Sequence, residues 1–296
     1  MTRGEKRNLW IGLAFISPWV MGFLVFTVFP VCASIFYSFC DYDVLSKPVW
    51  IGALNYRDMV TDTVFWKSLY NTLYYALLSL PLCLVIALLI AVLLNQEVKG
   101  RSVYRTIFFL PSLVPVVASS MVWLWILNGN FGLLNHGLHA LGINGPQWLA
   151  DEKWTKPSLI LMSIWGCGNT MVIYLAALQD VPRSLYESAE LDGANALVKF
   201  RHITVPMISP VIYFNLIMGI IGSLQVFAQA YIMFMPVLGG PNRSALFYAV
   251  YLYQNAFDYQ FMGYACAMAW ILFLIIFALT WLATRSTRRL IYYEGE

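Results

Sequence analysis

Charge is what this sequence has least of. Of its 296 residues only 11% are Asp, Glu, Lys or Arg, whereas a water-soluble domain carries about a quarter. With 60% hydrophobic residues, that scarcity excludes an ordinary soluble enzyme and also a disordered or fibrous chain. The net charge of +3 is too small to suggest a nucleic-acid surface. Catalytic signatures are missing as well. There is no G-x-x-x-x-G-K-[ST] phosphate loop, no H-E-x-x-H and no G-x-S-x-G, so neither nucleotide hydrolysis nor zinc or serine hydrolase chemistry is expected of this chain. Gly166-Cys167-Gly168 lacks the third glycine of a dinucleotide loop. The five cysteines are odd in number and form no C-x-x-C. They read as apolar packing rather than a disulfide scaffold. His136 and His139 have no Cys or third His beside them and read as a loop pair without metal.

What is there is long apolar sequence. Six stretches contain no Asp, Glu, Lys or Arg: 11–39, 69–94, 106–127, 158–178, 207–235 and 263–284. A helix needs about 20 residues to cross the hydrocarbon layer, so each predicts a transmembrane helix. Continuous rather than alternating hydrophobicity excludes a β-barrel. The first run is too long for a cleaved signal and reads as a retained anchor. Pro111 and Pro115 are expected to interrupt the third span, and Pro30 and Pro81 to kink the first and second. No His or charged side chain lies within a span, which weighs against a proton-coupled carrier.

Lys and Arg set the orientation. With the N-terminus inside, the segments 1–10, 95–105, 179–206 and 285–296 hold 12 Lys and Arg in 61 residues. These include Arg105, Arg183, Arg288 and Arg289. The segments 40–68, 128–157 and 236–262 hold 6 in 86 residues. Both termini are therefore expected in the cytoplasm. Within the third outer segment, Pro236, Gly239, Gly240 and Pro241 predict a turn or short re-entrant loop.

The inner loop 179–206 is the most informative part of the chain. Ser184-x-x-Glu187 reads as a capping box and Gly193 as the residue that ends a helix, predicting a helix from about Leu185 to Asp192. A second helix is expected from Ala194 to Pro206, with Leu197, Phe200 and Ile203 anchoring it against the membrane base. Small Ser188 and Ala189 would let a partner approach the first helix closely, and Glu187, Glu190 and Asp192 offer it charge.

Glu187-Ser188-Ala189-x-x-Asp192-Gly193-Ala194, followed by Phe200, Ile203, Val205-Pro206 and Pro210, resembles the EAA loop of the permease subunits of bacterial ABC importers. The family pattern is roughly E-A-A-x-x-D-G-A, nine residues, I-x-L-P. Ser188 and Val205 are the two departures, and both preserve size or character. Tyr104-Arg105-Thr106-Ile107-Phe108-Phe109-Leu110-Pro111, Phe131-Gly132-Leu133-Leu134-Asn135, Pro18, Asn55-Tyr56 and Gly239-Gly240-Pro241 extend the likeness to the maltose-type carbohydrate permeases. The large outer insertion of some of those permeases is missing.

The resemblance implies an all-α polytopic membrane protein with the type I ABC importer permease fold, forming one permease domain over 1–296 in the bacterial inner membrane. It implies a non-catalytic subunit that binds no cofactor, ATP and Mg being held by partner ATPases. The implied partners are a second permease subunit, two cytoplasmic ATP-binding subunits and an extracytoplasmic solute-binding protein. The implied coupling residues are Glu187, Ser188, Ala189, Asp192, Gly193, Ala194, Phe200, Ile203 and Pro206.

Amides facing lipid would be unpaired. Asn215, Gly222, Gln225 and Gln229 are spaced to share one face of a helix in the fifth span, and that face is expected to turn toward protein or the pathway. Trp165, Asn169 and Tyr174 in the fourth span would add the flat and amide surfaces that a sugar needs. Helix packing is the alternative role for all seven. Alternatives for the whole chain are an importer permease for glycerophosphodiesters, polyamines or another polar solute, an ion-coupled carrier or stand-alone channel, and a membrane-embedded enzyme, for which no catalytic cluster is visible.

Overall fold

The computed structural model describes residues 2–96 and 99–287. Arg288 and Arg289, counted above toward the inner tail, and residues 97–98 of the inner segment 95–105 lie outside the described residues. Packing divides the chain into two units, Met1–Asp62 with Leu252–Phe273, and Thr63–Tyr251 with Leu274–Glu296.

In the first unit, helix α1 (Arg3–Ser38) is long enough to cross a bilayer. Its start is a capping box in which Thr2 and Glu5 satisfy each other's backbone N–H groups. Pro30 has no N–H to donate, and its ring would crowd the preceding turn. The helix accommodates it by widening to a π-turn at Leu24–Val28, immediately upstream. After α1, Cys40–Asp41 (β1) pairs antiparallel with Val49–Trp50 (β2), the only departure from helix among the described elements and too short for sequence to show. Helix α2 (Leu54–Thr61) follows. Its buried Asn55 donates to the carbonyls of Ser38 and Cys40 at 2.9 and 3.0 Å, and Tyr56 donates to Ser38 Oγ at 2.8 Å.

The second unit is built on α3 (Thr63–Asn95), which is helical throughout, including at Pro81. Two of the expected spans are bent pairs. Helices α4 (Arg101–Leu113) and α5 (Val116–Ile126) meet at 99°. The cause is the expected one: Val114, held extended before Pro115, cannot continue a helix. A short helix α6 (Leu133–Ala140) in the following loop carries His136 and His139, so these are helical rather than loop residues, both exposed. Helices α7 (Glu152–Trp165) and α8 (Gly168–Asp180) are bent by 43° at Gly166-Cys167, a break the uncharged run 158–178 concealed. The loop helices α9 (Arg183–Leu191) and α10 (196–207) come next. Helices α11 (Ser209–Leu224) and α12 (Ala228–Met233) share the fifth apolar run. Helix α13 (Tyr248–Tyr253) and α14 (Met262–Thr287), the last apolar run, are each divided between the units, since Leu252–Phe273 belongs to the first. Among the described residues four helical stretches are long and apolar enough to cross a membrane, α11 and α12 counting as one, and up to six if each bent pair is one span.

The core of this unit joins Ala87, Ala91 and Leu94 of α3 to Met171, Tyr174, Leu175 and Leu178 of α8. Ala87 and Ala91, one turn apart, let α8 lie close. Gly168 serves the same end against α4, since a Cβ there would overlap the carbonyl oxygen of Phe108.

Candidate functional site

The loop between α8 and α11 is held by few contacts. Helix α9 begins at Arg183, directly after Pro182, so Ser184 lies inside the first turn and no side chain caps the helix. The expected capping box is therefore not formed; proline at the boundary sets the start earlier. The other end behaves as expected. Gly193 has φ +78°, its N–H bonds to the Glu190 carbonyl at 3.0 Å, and the N–H of Ala194 bonds to Ala189 at 2.9 Å. That pair of bonds is a Schellman motif, which requires the left-handed residue that glycine supplies without strain. Asn195 then caps α10 by accepting from the N–H of Val198 at 2.9 Å. A π-turn at Phe200–Thr204 leads to Pro206.

Sequence reasoning missed the residue that fixes this loop. Tyr186 packs on the core, and its hydroxyl meets Thr204 Oγ1 at 2.9 Å, joining the two loop helices. The signal available was the one aromatic ring on this helix. Ile203 packs on the same core as expected. Phe200 is half-buried and lines a cavity of about 330 Å³ with Val92, Asn95 and Tyr186. Leu197 is not an anchor. It is 74% exposed, and Leu191 is 90% exposed. With the core contact made by Tyr186 and Ile203, α10 turns Leu197 outward. Lys199 takes Glu190 in an ion pair of 2.7 Å, whereas Glu187, Ser188, Asp192 and Gly193 are exposed, and Ala189, Ala194 and Pro206 half-buried. The loop thus presents a rigidly ended helix with acidic groups and bare leucines, a surface suited to docking rather than to chemistry.

The polar residues assigned to a pathway do not form one stripe. Helical bonding lapses at 225–227, between α11 and α12, so Gln225 and Gln229 do not continue the face of Asn215. Asn215 is buried and donates to the Val211 carbonyl of its own helix at 2.9 Å. Tyr174 is 1% exposed in the core. Both pack within the fold, which suits the helix-packing alternative for these two residues, since an uncharged run marks depth without direction. Gly222, Gln225, Asn169 and Trp165 are exposed, and Gln229 is half-buried. The Trp165 ring meets Trp123 edge-on at 6.0 Å, and α12 packs against the helix that carries Trp123.

A second polar cluster, at the end expected to face outward, was not foreseen. Asn71 of α3 donates to the carbonyls of Arg243 and Leu246 at 2.9 and 3.0 Å and accepts from Lys156 Nζ at 3.2 Å. Lys156 also donates to the Ser244 carbonyl at 3.2 Å and lies 5.5 Å from the Tyr74 ring. Thr155 donates to Ser244 Oγ, and Thr72 accepts from the N–H of Tyr248, each at 2.8 Å. This network clamps the segment 244–248, whose residues are at most 2% exposed. The glycine-rich stretch before it is a turn as expected, with Gly239 and Gly240 at φ +93° and +66°. Glu152 precedes the uncharged run 158–178. It accepts from Asn242 at 2.9 Å and Lys67 at 3.2 Å, and those two partners, Asn242 foremost, hold its carboxyl below the usual carboxylate range.

Among the described residues no group of three or more His, Cys, Asp or Glu could hold a metal ion, and the arrangement carries no catalytic constellation.

The comparisons agree with this architecture. A probable ABC transporter permease protein, YesP, of Bacillus subtilis is 41% identical over all of this chain and 96% of its own length. The arabinooligosaccharides transport system permease protein AraP of the same organism is 31% identical over 95% of this chain and 89% of its own. A chain of a bacterial alginate ABC transporter, solved in complex with an alginate pentasaccharide-bound periplasmic protein, has the same fold with a TM-score of 0.84 at 24% identity, covering 97% of this chain and 96% of that one. The family model of the binding-protein-dependent transport system inner membrane component matches residues 83–292, and the chain belongs to that family of non-catalytic, membrane-spanning ABC transporter permeases.

Proposed function

We propose that this chain, as a single permease domain, forms half of the translocation pathway of an ATP-driven carbohydrate importer and receives the ATPase through the loop 179–206. The observation that carries the reading is α9 itself. Its Schellman end at Gly193 fixes its length, its core contact is concentrated in Tyr186, and Glu187, Asp192 and Leu191 are free to meet another protein. On this reading the loop and both termini are cytoplasmic, as the Lys and Arg distribution requires. A second permease subunit completes the pathway, two ATPase subunits bind and hydrolyse ATP with Mg, and a solute-binding protein delivers the sugar to the opposite face. ATP then acts by population shift: the closed ATPase pair favours one arrangement of the docking helices over the other, by as much as its affinity for the two differs.

A carbohydrate is supported by the relatives, one of which is an arabinooligosaccharide permease, and by the exposed amide and indole groups of Gln225, Asn169 and Trp165. Glu187→Lys tests the docking half of the proposal. The variant is expected to reach the membrane but to lose the ATPase on co-purification, together with uptake. Full ATPase retention would refute it. Sugar binding by the cognate solute-binding protein tests the substrate class, and failure of every oligosaccharide with binding of a polyamine or glycerophosphodiester would overturn that half alone.

A further inference from the structure

A second cavity, of about 430 Å³, lies behind the loop, lined by Asn95, Arg101, Arg105, Gln179, Arg183 and Tyr186, with Leu178 and Val181 at its base. Three of these eight residues are arginines, and none of the eight is acidic. Arg101 and Arg105 stand one turn apart on α4; Arg183 opens α9 across from them. Arg105 is the unusual one. Its Nε and Nη2 are sealed from bulk solvent, and among the described residues neither has a hydrogen-bond partner. Two sealed guanidinium nitrogens without an acceptor are costly, and the lining is rich in donors: three guanidinium groups, beside two side-chain amides and a phenol that can donate or accept.

We propose that this cavity binds a phosphate-type oxyanion. A carboxylate has two oxygens in one plane, whereas a phosphate group presents oxygens in several directions and can meet donors converging from α3, α4 and α9 at once. Guanidinium forks match it in geometry and charge. The cavity also exceeds a bare phosphate in size, so the headgroup of an anionic phospholipid fits, and the position at the helix ends is where such a headgroup lies. The bound anion ties α4 to the first turn of α9 through Arg105 and Arg183, so the posture of the docking helix depends on its presence.

The test uses the whole importer in nanodiscs of phosphatidylcholine alone or of equimolar phosphatidylcholine and phosphatidylglycerol. Native mass spectrometry reads retained lipid, and calorimetry reads inorganic phosphate added to the phosphatidylcholine discs. Phosphatidylglycerol is expected to stay on the wild type and to fall roughly tenfold in Arg105→Gln, as loss of one charge-assisted contact implies. Arg101→Gln, at the cavity rim, is expected to fall in the same direction whether or not Arg105→Gln folds, and Arg3→Gln to leave retention unchanged. Saturable phosphate binding abolished by the same variants supports the site with free phosphate as its source. No binding of either probe, or binding indifferent to both cavity variants, overturns the proposal and leaves the cavity to an acidic side chain of a partner. ATPase retention scored in the same samples separates failure of this site from failure of the docking reading.

Discussion

The two polar regions of the second unit are built on opposite rules. At the clamp on 244–248 every group serves the chain itself: Asn71 makes three hydrogen bonds, Lys156 two, and the segment they hold is buried. At the loop 183–207 the internal bonds are few, and leucines at 191 and 197 face outward. A buried polar group must find its partners within the fold, while a docking surface must leave its own to be met by another protein. On the proposed reading the clamp governs stability and the loop governs assembly.

The largest break in that contrast is expected from Gly193→Pro. Proline cannot take φ +78° and donates no N–H to Glu190, so the Schellman end is lost and ATPase retention should fall roughly a hundredfold, the equivalent of about 3 kcal/mol. Membrane insertion should be unchanged. Asn71→Leu should do the reverse. It takes the donor from the buried Leu246 carbonyl and the part-buried Arg243 carbonyl and leaves Lys156 with the Ser244 carbonyl alone, costing about 2–4 kcal/mol of stability, read as a lowered melting temperature in detergent, with the ATPase still bound by the folded fraction. Gly168→Ala forces a methyl group against the backbone of α4 and should cost about 1–3 kcal/mol. Gly219→Ala meets only the Leu80 side chain, which can turn away, so its loss should be smaller. The smallest effect is expected from pH. Because the folded-state pKa of Glu152 is depressed, its contribution is present above the ordinary glutamate pKa and fades as pH falls through the folded value. Asn242→Ala should flatten that acid limb of the melting profile, modestly, since the group is solvent-screened.

The spans and the loop were legible because both rest on short-range chemistry: uncharged runs for the spans, a glycine that must be left-handed for the end of α9. Motifs that carried the family likeness prove to be pins. Asn55 ties α2 to the strand start, and Asn135 holds the loop before α7 by donating to Gly129 and Pro146 while accepting from Trp148. What sequence did not disclose was direction and distance. Asn215 and Gln225 share an apolar run, yet one bonds its own helix and the other is exposed, because the helix lapses between them. The clamp joins Asn71 to residues more than 170 positions away, a pairing no local pattern encodes. Tyr186, given no role in the sequence reading, makes the contact expected of Leu197 for the same reason, since periodicity locates a face but not the neighbour that will cover it.

The central claim is that α9 is gripped by the ATPase, and Leu191, the most exposed large hydrophobic side chain on it, reports this most directly. With the five native cysteines replaced, Leu191→Cys should cross-link to a cysteine scanned across the ATPase surface, in good yield and with a yield that changes on adding ATP. Leu191→Cys that never cross-links, while a cysteine at a position expected to face outward such as Val49 does, would contradict the account.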